Sequence, residues 1–305
     1  MSKYLPLEYM NFGKGIVVVY SQTGYINYAR KFMLKFRIMN KYIIFSFLSI
    51  IIISFVSWLL FSGYLSTILF FKATPEWTSK ALYISVMFDY QGYIREGFTL
   101  LQVLLPVIVS LSIFHFRDEI DGFFPHLYGR NVNYKKTIWL SIIAHLVNAV
   151  LAIFSGFLVY MLIGVFLTNT TIDPGNAHDL FSDIFGPNFY LNNQYLFYMT
   201  EGIVRYVFFT ITYGLFAIAV SLNTEEKYLM VLIPVAYYTV FSILVSMLSR
   251  LVPFDIYAFA PNFPLIASSY VNPSTYQVFL GFYPVIIISI YMIMRRLKGD
   301  ERIGV

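Results

Sequence analysis

The chain has no cysteine and few charged residues for its length. Without cysteine it has no disulfide bonds, no thiolate metal ligands and no cysteine nucleophile. Charged residues make up only 12% of the 305 positions and apolar residues 58%, whereas soluble globular proteins contain about 25% charged residues. The mean hydropathy is +0.68. This composition indicates a polytopic membrane protein rather than a soluble domain.

Long apolar runs predict an all-α fold with six transmembrane helices. A helix needs roughly 20 apolar residues to cross about 30 Å of hydrocarbon. The runs do not alternate between polar and apolar residues, as the strands of a membrane barrel do. The predicted spans are residues 42–70, 98–116, 138–168, 203–222, 228–250 and 278–295. The first and third exceed one crossing, so we expect them to tilt or to continue as helix beyond the bilayer.

The distribution of Lys and Arg predicts which side of the membrane each loop faces. With the N-terminus inside, sixteen of these residues fall on the cytoplasmic side and five outside, as the positive-inside rule requires. The chain is therefore expected in the cell membrane with both termini in the cytoplasm. The sequence pI of about 9.1 reflects the same bias and the nearby anionic lipids, so it does not indicate a nucleic-acid partner.

The lead-in before the first span, residues 1–41, has two parts. Residues 1–24 mix polar, aromatic and glycine residues, which predicts a loosely ordered cytosolic segment. From Asn27 onward, apolar residues recur near the helical period beside a basic surface. This pattern predicts an amphipathic helix along the inner membrane surface. Simple anchoring of the first span by the same basic residues is an equally good interpretation.

The remaining segments complete the predicted domain organisation. Residues 42–297 form the membrane domain, and residues 298–305 form a cytosolic tail. The segments predicted to be extracellular are 71–97, 169–202 and 251–277. The last of these is rich in proline yet too apolar for an ordinary water-exposed loop, so it is a candidate to dip back into the membrane.

The most informative segment is the charged loop 117–137 between the second and third spans. Its apolar residues fall on one helical face: Ile120, Phe123, Phe124 and Leu127. Pro125 lacks a backbone N–H, so a helix leaving the second span should end or kink near Phe124. A shaped, partly apolar loop between two spans is suited to binding a cytosolic partner.

At this loop the chain resembles the permease subunits of ABC-2 type transporters, also called type V exporters. The matching positions are Glu119, Gly122, Leu127, Arg130, Val132, Asn133, Lys135 and Lys136. Three positions depart from the family pattern: Phe123 stands for the usual Thr, Asn131 for a common Pro, and Ser141 for a Lys often found in the third span. The likeness in sequence covers the loop, whereas the likeness in layout covers the whole chain.

The resemblance implies a transmembrane subunit of an exporter. In that family the loop forms a coupling helix on a separate ATP-binding subunit, and the segment before the first span forms a connecting helix. The implied partners are cytosolic ATP-binding subunits, which hold ATP and Mg, and a second permease copy or paralogue, with spans two and five at the dimer interface. The residues expected to contact the ATP-binding subunit are Glu119, Gly122, Phe123, Phe124, Leu127 and Arg130.

Other readings of the sequence are less well supported. No glycine-rich phosphate-binding loop ending in Lys-Ser or Lys-Thr occurs, so the chain is expected to be neither an ATPase nor an enzyme, and to hold no cofactor itself. His145 and Asn148 share one face of the third span, where they line a substrate route or bond between helices. Glu201 and Arg205 stand one turn apart, which predicts an ion pair. The alternative function is a non-transporting multi-span scaffold, trafficking or sensor protein.

The charge asymmetry generates a prediction about topology. Cysteines placed singly at Arg130 and Asp183 should differ in labelling by a membrane-impermeant thiol reagent on intact cells, because only Asp183 lies in a predicted outside segment. Labelling of Asp183→Cys alone is the expected result. Labelling of Arg130→Cys alone would invert the topology and remove the coupling hypothesis.

Overall fold

The computed structural model describes residues 9–12, 15–18, 41–72, 79, 89–122, 134–168, 180–186, 188–251, 256–266 and 274–303. The chain divides into two units, Met1–Asn40 and Lys41–Val305. In the first unit, strands β1 (Tyr9–Phe12) and β2 (Gly15–Val18) pair antiparallel.

This hairpin lies within residues 1–24, which were expected to be loosely ordered, whereas the expected all-α architecture is found from Lys41 onward. Only two residues separate the strands, which is a common connection in hairpins, and β2 ends on β-branched residues that favour strands. The predicted amphipathic helix from Asn27 to Asn40 lies outside the described residues.

Every regular element described from Lys41 onward is a helix. The first half of this unit contains α1 (Lys41–Phe61), α2 (Tyr64–Phe70), α3 (Tyr90–Phe98), α4 (Leu101–Ser112), α5 (Phe114–Gly122) and α6 (Tyr134–Leu167). The second half contains α7 (Ser182–Phe185), α8 (Phe189–Asn192), α9 (Gln194–Gly202), a π-helix (Ile203–Phe208), α10 (Phe209–Asn223), α11 (Leu229–Leu248), a 3₁₀ turn (Tyr257–Phe259), α12 (Phe263–Ile266), α13 (Thr275–Leu280) and α14 (Tyr283–Ile303).

Several of these helices indicate a multi-pass membrane protein. By length and composition, five described helices can cross a bilayer: Lys41–Phe61, Lys135–Leu167, Gln194–Asn223, Leu229–Leu248 and Thr275–Lys298. The pair Tyr90–Phe98 and Leu101–Gly122 passes the same test together, but it is bent by 61°. The number of spans among the described residues is therefore five, or six if the bent pair is one span.

Three predicted spans differ from the observed helices. The first was expected to run to Phe70, but α1 ends at Phe61 because Gly63 adopts a left-handed backbone conformation, and α2 follows as a separate helix. The second was expected to begin at Phe98, which instead ends α3 just before the bend. The fourth was expected to begin at Ile203, but its helix starts at Gln194, inside the predicted extracellular segment 169–202.

The helix Gln194–Asn223 is the axis of the bundle, and we call it the central helix. It comprises α9, the π-helix and α10, and it is far more buried than the other four long helices. The helices α4, α6, α11 and α14 all pack against α10. Gly214 allows neighbouring side chains to pack closely against α10, because a Cβ at this position would meet the side chains of Ile113 and Leu146.

Polar side chains satisfy the backbone where the second span is interrupted. Ser57 of α1 donates to the carbonyl of Glu96 at 2.6 Å and accepts from the N–H of Leu100 at 3.1 Å, so it bonds to both sides of the bend. Within α4, Pro106 cannot donate to the carbonyl of Gln102, and the Tyr238 hydroxyl of α11 donates to it at 2.6 Å. An interrupted helix is tolerated in lipid when neighbours bond its backbone in this way.

Helices α1 and α6 approach closely through small residues. A Cβ at Gly156 would lie 2.8 Å from the carbonyl oxygen of Phe47 and 3.1 Å from the Cβ of Ile50. Gly156 therefore lies directly against the backbone of α1. Small side chains of this kind allow helix backbones to pack tightly in a membrane.

Gly156→Ala should therefore destabilise the bundle by about 1–3 kcal/mol through overpacking against α1. The matched control is Gly122→Ala, because a Cβ at Gly122 meets nothing within 4 Å. Thermal unfolding in detergent should show a lower midpoint for Gly156→Ala alone. Equal midpoints for the two variants would mean that the α1–α6 contact is not tight.

Candidate functional site at the inner end of the bundle

The first part of the charged loop lies where several helices end. Helix α5 ends at Gly122, α6 begins at Tyr134, and the turn after Asn223 joins α10 to α11. We call this the inner end, after the predicted orientation. Helix α5 packs against both α6 and α10 there, so its charged residues face two different neighbours.

Arg117 binds the end of the central helix. Its Nη1 donates to the carbonyl of Ser221 at 2.7 Å and also to the carbonyl of Thr224. Its Nη2 lies 2.8 Å from Oδ1 of Asp121, one turn further along α5. Arg117 is buried. A helix leaves its last carbonyls without backbone partners and carries partial negative charge at that end, so a buried guanidinium is stabilising there.

A second, exposed contact joins α5 to the same turn. Lys227 Nζ donates to Oδ1 of Asp118 at 2.9 Å and lies 3.7 Å from Oδ2 of Asp121. The hydrogen bond to Asp118 and its negative charge raise the pKa of Lys227. The ammonium is therefore charged at every physiological pH, and the contact depends on electrostatics that solvent and salt can reach.

Glu119 faces the opposite neighbour, α6. Its Oε2 accepts a hydrogen bond from Ser141 Oγ at 2.6 Å, and its Oε1 lies 3.2 Å from Nε2 of His145. The His145 side chain is 3% exposed and that of Glu119 is 13% exposed. The rings of His115 and Phe116 lie edge-on to the His145 ring. A carboxylate in this buried setting is held by its partners on α6.

The structure thus brings together two residues that the sequence suggested for separate reasons. Glu119 was selected as a coupling-loop residue and His145 as a residue of a substrate route. Asn148, on the same face of α6, is partly buried. Gly122 is exposed at the end of α5. The other coupling-loop residues, Phe123, Phe124, Leu127 and Arg130, lie outside the described residues.

The predicted ion pair of Glu201 and Arg205 is confirmed. Arg205 Nη2 lies 2.6 Å from Oε1 of Glu201, both side chains are buried, and the guanidinium stacks over the ring of Phe98 at 4.4 Å. Arg205 belongs to the π-helix, and its charge counted toward the outside loops in the sequence analysis. The pair lies inside the bundle and joins the central helix to the bend between α3 and α4.

Among the residues that the structure describes, no group of three or more His, Asp or Glu side chains could hold a metal ion. The contacts described above at the inner end join α5 to α6, to α10 and to the turn after α10. This arrangement is suited to transmitting a displacement, because α5 is bonded on one side to α6 and on the other to the end of α10.

No protein-family model, curated protein or solved structure matches this chain. Functional inference therefore rests on the residues and their geometry. Sequence reasoning missed Arg117, which it used only as a charge that fixes topology. The available signal was local: Arg117 and Asp121 are one turn apart in a segment leading out of the membrane.

The buried contact between Glu119 and His145 generates a stability prediction. A double-mutant cycle of Glu119→Ala and His145→Ala should give a coupling energy of about 1–2 kcal/mol, because each side chain loses the same partner. The control cycle pairs His145→Ala with Asp121→Ala, a carboxylate on the same helix that contacts Arg117 instead. Unfolding in mixed detergent measures both cycles, and equal coupling energies would contradict a specific contact.

Proposed function

We propose that this chain is the transmembrane permease subunit of an ABC exporter. ATP binding and hydrolysis by a separate cytosolic subunit would displace the loop that begins at α5, and the membrane helices would follow. The chain would work with two ATP-binding subunits and with a second permease copy or a paralogue. ATP and Mg would be held by the partner subunits.

The observation that carries this proposal is the anchoring of α5 on two sides. Glu119 is bonded to α6, and Arg117 and Lys227 join α5 to the turn between α10 and α11. A loop that only connected two spans would need no contact with the turn between α10 and α11. A loop that receives force from a partner needs a rigid base, and α5 supplies it directly before Phe123 and Phe124.

The contact of Glu119 also bears on the family resemblance. Where the family often has a Lys in the third span, this chain has Ser141, which bonds Glu119, and His145 lies one turn further along the same helix. The loop carboxylate therefore has polar partners on α6, although the family's Lys is absent.

The interior of the bundle supports the proposed substrate class. The described core consists mainly of aromatic and aliphatic side chains, and its buried Glu201 and Arg205 neutralise each other. A passage through such helices suits an amphipathic or lipid-like substrate, such as a peptide, a lipid or a glycan precursor. The second candidate function, a multi-span scaffold, trafficking or sensor protein, explains the apolar helices without using the contacts of α5.

The exposure of the helices bears on the expected dimer. In the single chain α4 is mostly covered by its neighbours and exposes chiefly Val103 and Leu104. The helix α11 exposes a continuous apolar surface formed by Leu232, Val240, Ile243, Leu244 and Met247. A dimer interface through spans two and five would therefore draw more of its area from span five.

The proposal predicts that the loop binds an ATPase. Phe123→Ala should reduce co-purification with an ATP-binding subunit encoded beside this chain, because it removes an aromatic contact from the loop. Glu119→Ala should leave some binding but reduce stimulation of ATP hydrolysis by the permease, because its side chain joins α5 to α6. Co-purification is measured during isolation of the complex, and ATP hydrolysis is measured with the complex in lipid nanodiscs.

The matched control is Phe185→Ala, which removes an exposed aromatic side chain from the predicted outer side. It should leave binding and ATP hydrolysis unchanged. If neither Phe123→Ala nor Glu119→Ala differs from this control, the loop is a connector. Purification of the intact chain as a stable species that never binds an ATPase would favour the scaffold.

A further inference from the structure

The contacts at the inner end differ in what they attach α5 to. Glu119 attaches it to α6, the next helix along the chain, as any loop between two spans can do. Arg117 attaches it to Ser221 and Thr224, more than a hundred residues away, at the end of the central helix. This second attachment reaches the one long helix that most of the bundle packs around.

The hydrogen bonds of Arg117 are costly to break. A charged donor on two carbonyls forms stronger and shorter hydrogen bonds than neutral groups do. Arg117 is buried, and Asp121 holds the other end of the guanidinium. Separating α5 from α10 would leave a buried charge and two carbonyls without these partners, which is costly in a protein interior.

The central helix can transmit a displacement of α5 into the membrane domain. It runs without a break from Gln194 to Asn223, which is about 45 Å at 1.5 Å per residue. Sixteen residues before Ser221, about 24 Å along the helix, Arg205 contacts Glu201 and the ring of Phe98, next to the bend of the second span. A movement received at Ser221 would therefore reach the bend between α3 and α4.

We infer that Arg117 is a positioning residue that makes the central helix move together with α5. This inference deepens the proposed function, on which it rests for the source of the movement. It adds a direct connection from the loop to span four, beside the covalent connections of the loop to spans two and three. Arg117 itself contacts neither ATP nor substrate in this assignment.

Spin labels on the full chain in lipid nanodiscs test the attachment without any partner. The chain is cysteine-free, and Gly122→Cys with Glu226→Cys places labels on exposed positions at the end of α5 and in the turn after α10. Arg117→Gln should make the distance distribution about twofold broader, because it removes charged hydrogen bonds between these elements. The pair Gly122→Cys with Lys136→Cys, across the Glu119 side, should stay narrow.

Two further variants serve as references. Arg95→Gln removes an exposed arginine whose described partner is the adjacent Glu96, and it should leave both distributions unchanged. Arg117→Lys keeps the charge beside Asp121 but lacks the forked donor, so an intermediate width is expected. If Arg117→Gln fails to fold, Arg117→Lys still decides the question. Unchanged narrow distributions in either folded variant would overturn the attachment.

The complex with the ATP-binding subunit tests the joint movement. Labels at Ile120, which is half-buried on α5, and at Tyr195 report α5 against the outer end of the central helix, and their distance should not change when a non-hydrolysable ATP analogue is added. In Arg117→Gln the same distance should change, because α5 moves alone. A change of similar size in the native chain and the variant would refute the inference.

A third label pair separates this outcome from failure of the proposed function. Labels at Ile120 and at Leu60, which is exposed near the outer end of α1, should change distance with nucleotide in both the native chain and Arg117→Gln. If this pair does not respond to nucleotide at all, the proposed function fails. The partner-free measurement then still decides whether Arg117 joins α5 to the central helix.

Discussion

Backbone groups inside a membrane have no water to bond, and this constraint explains where the polar side chains of the bundle lie. Ser57 bonds both sides of the bend in the second span, and Tyr238 bonds the carbonyl that Pro106 leaves without a donor. Arg117 performs the same task at the end of the central helix. In each of these three cases a side chain from one helix bonds the backbone of another, so the same hydrogen bonds also hold neighbouring helices together.

The existence and approximate limits of the long helices could be predicted from sequence, because lipid requires about 20 apolar residues per crossing. The third and fifth predicted spans, 138–168 and 228–250, agree closely with α6 and α11. Their interruptions could not be predicted. The bend after Phe98 depends on Ser57, which lies about forty residues earlier, and apolar composition carries no record of such a partner. The extension of the central helix back to Gln194 was missed for a related reason, since its first turns are polar enough to resemble a loop.

The candidate site was predicted in part. Glu119 and His145 were both selected, but their meeting depends on how α5 turns against α6, which the spacing within either segment does not determine. Ser141 was noticed only as a departure from the family pattern, although it bonds the selected carboxylate. Arg117 was misjudged, because a basic residue beside a span ordinarily stays in water and fixes topology. Arg117 is buried because its guanidinium bonds the carbonyls at the end of α10.

The two sides of α5 differ in how they respond to ionic strength. The Asp118–Lys227 contact is exposed on both partners, and an exposed ion pair contributes less as the salt concentration rises. The contacts of Glu119 with Ser141 and His145 are largely enclosed by the bundle, where dissolved ions have little access. Rising salt therefore loosens α5 on the side of the α10–α11 turn and leaves its hold on α6 intact. The surrounding electrolyte thus sets how much of the attachment to the turn depends on Arg117 alone.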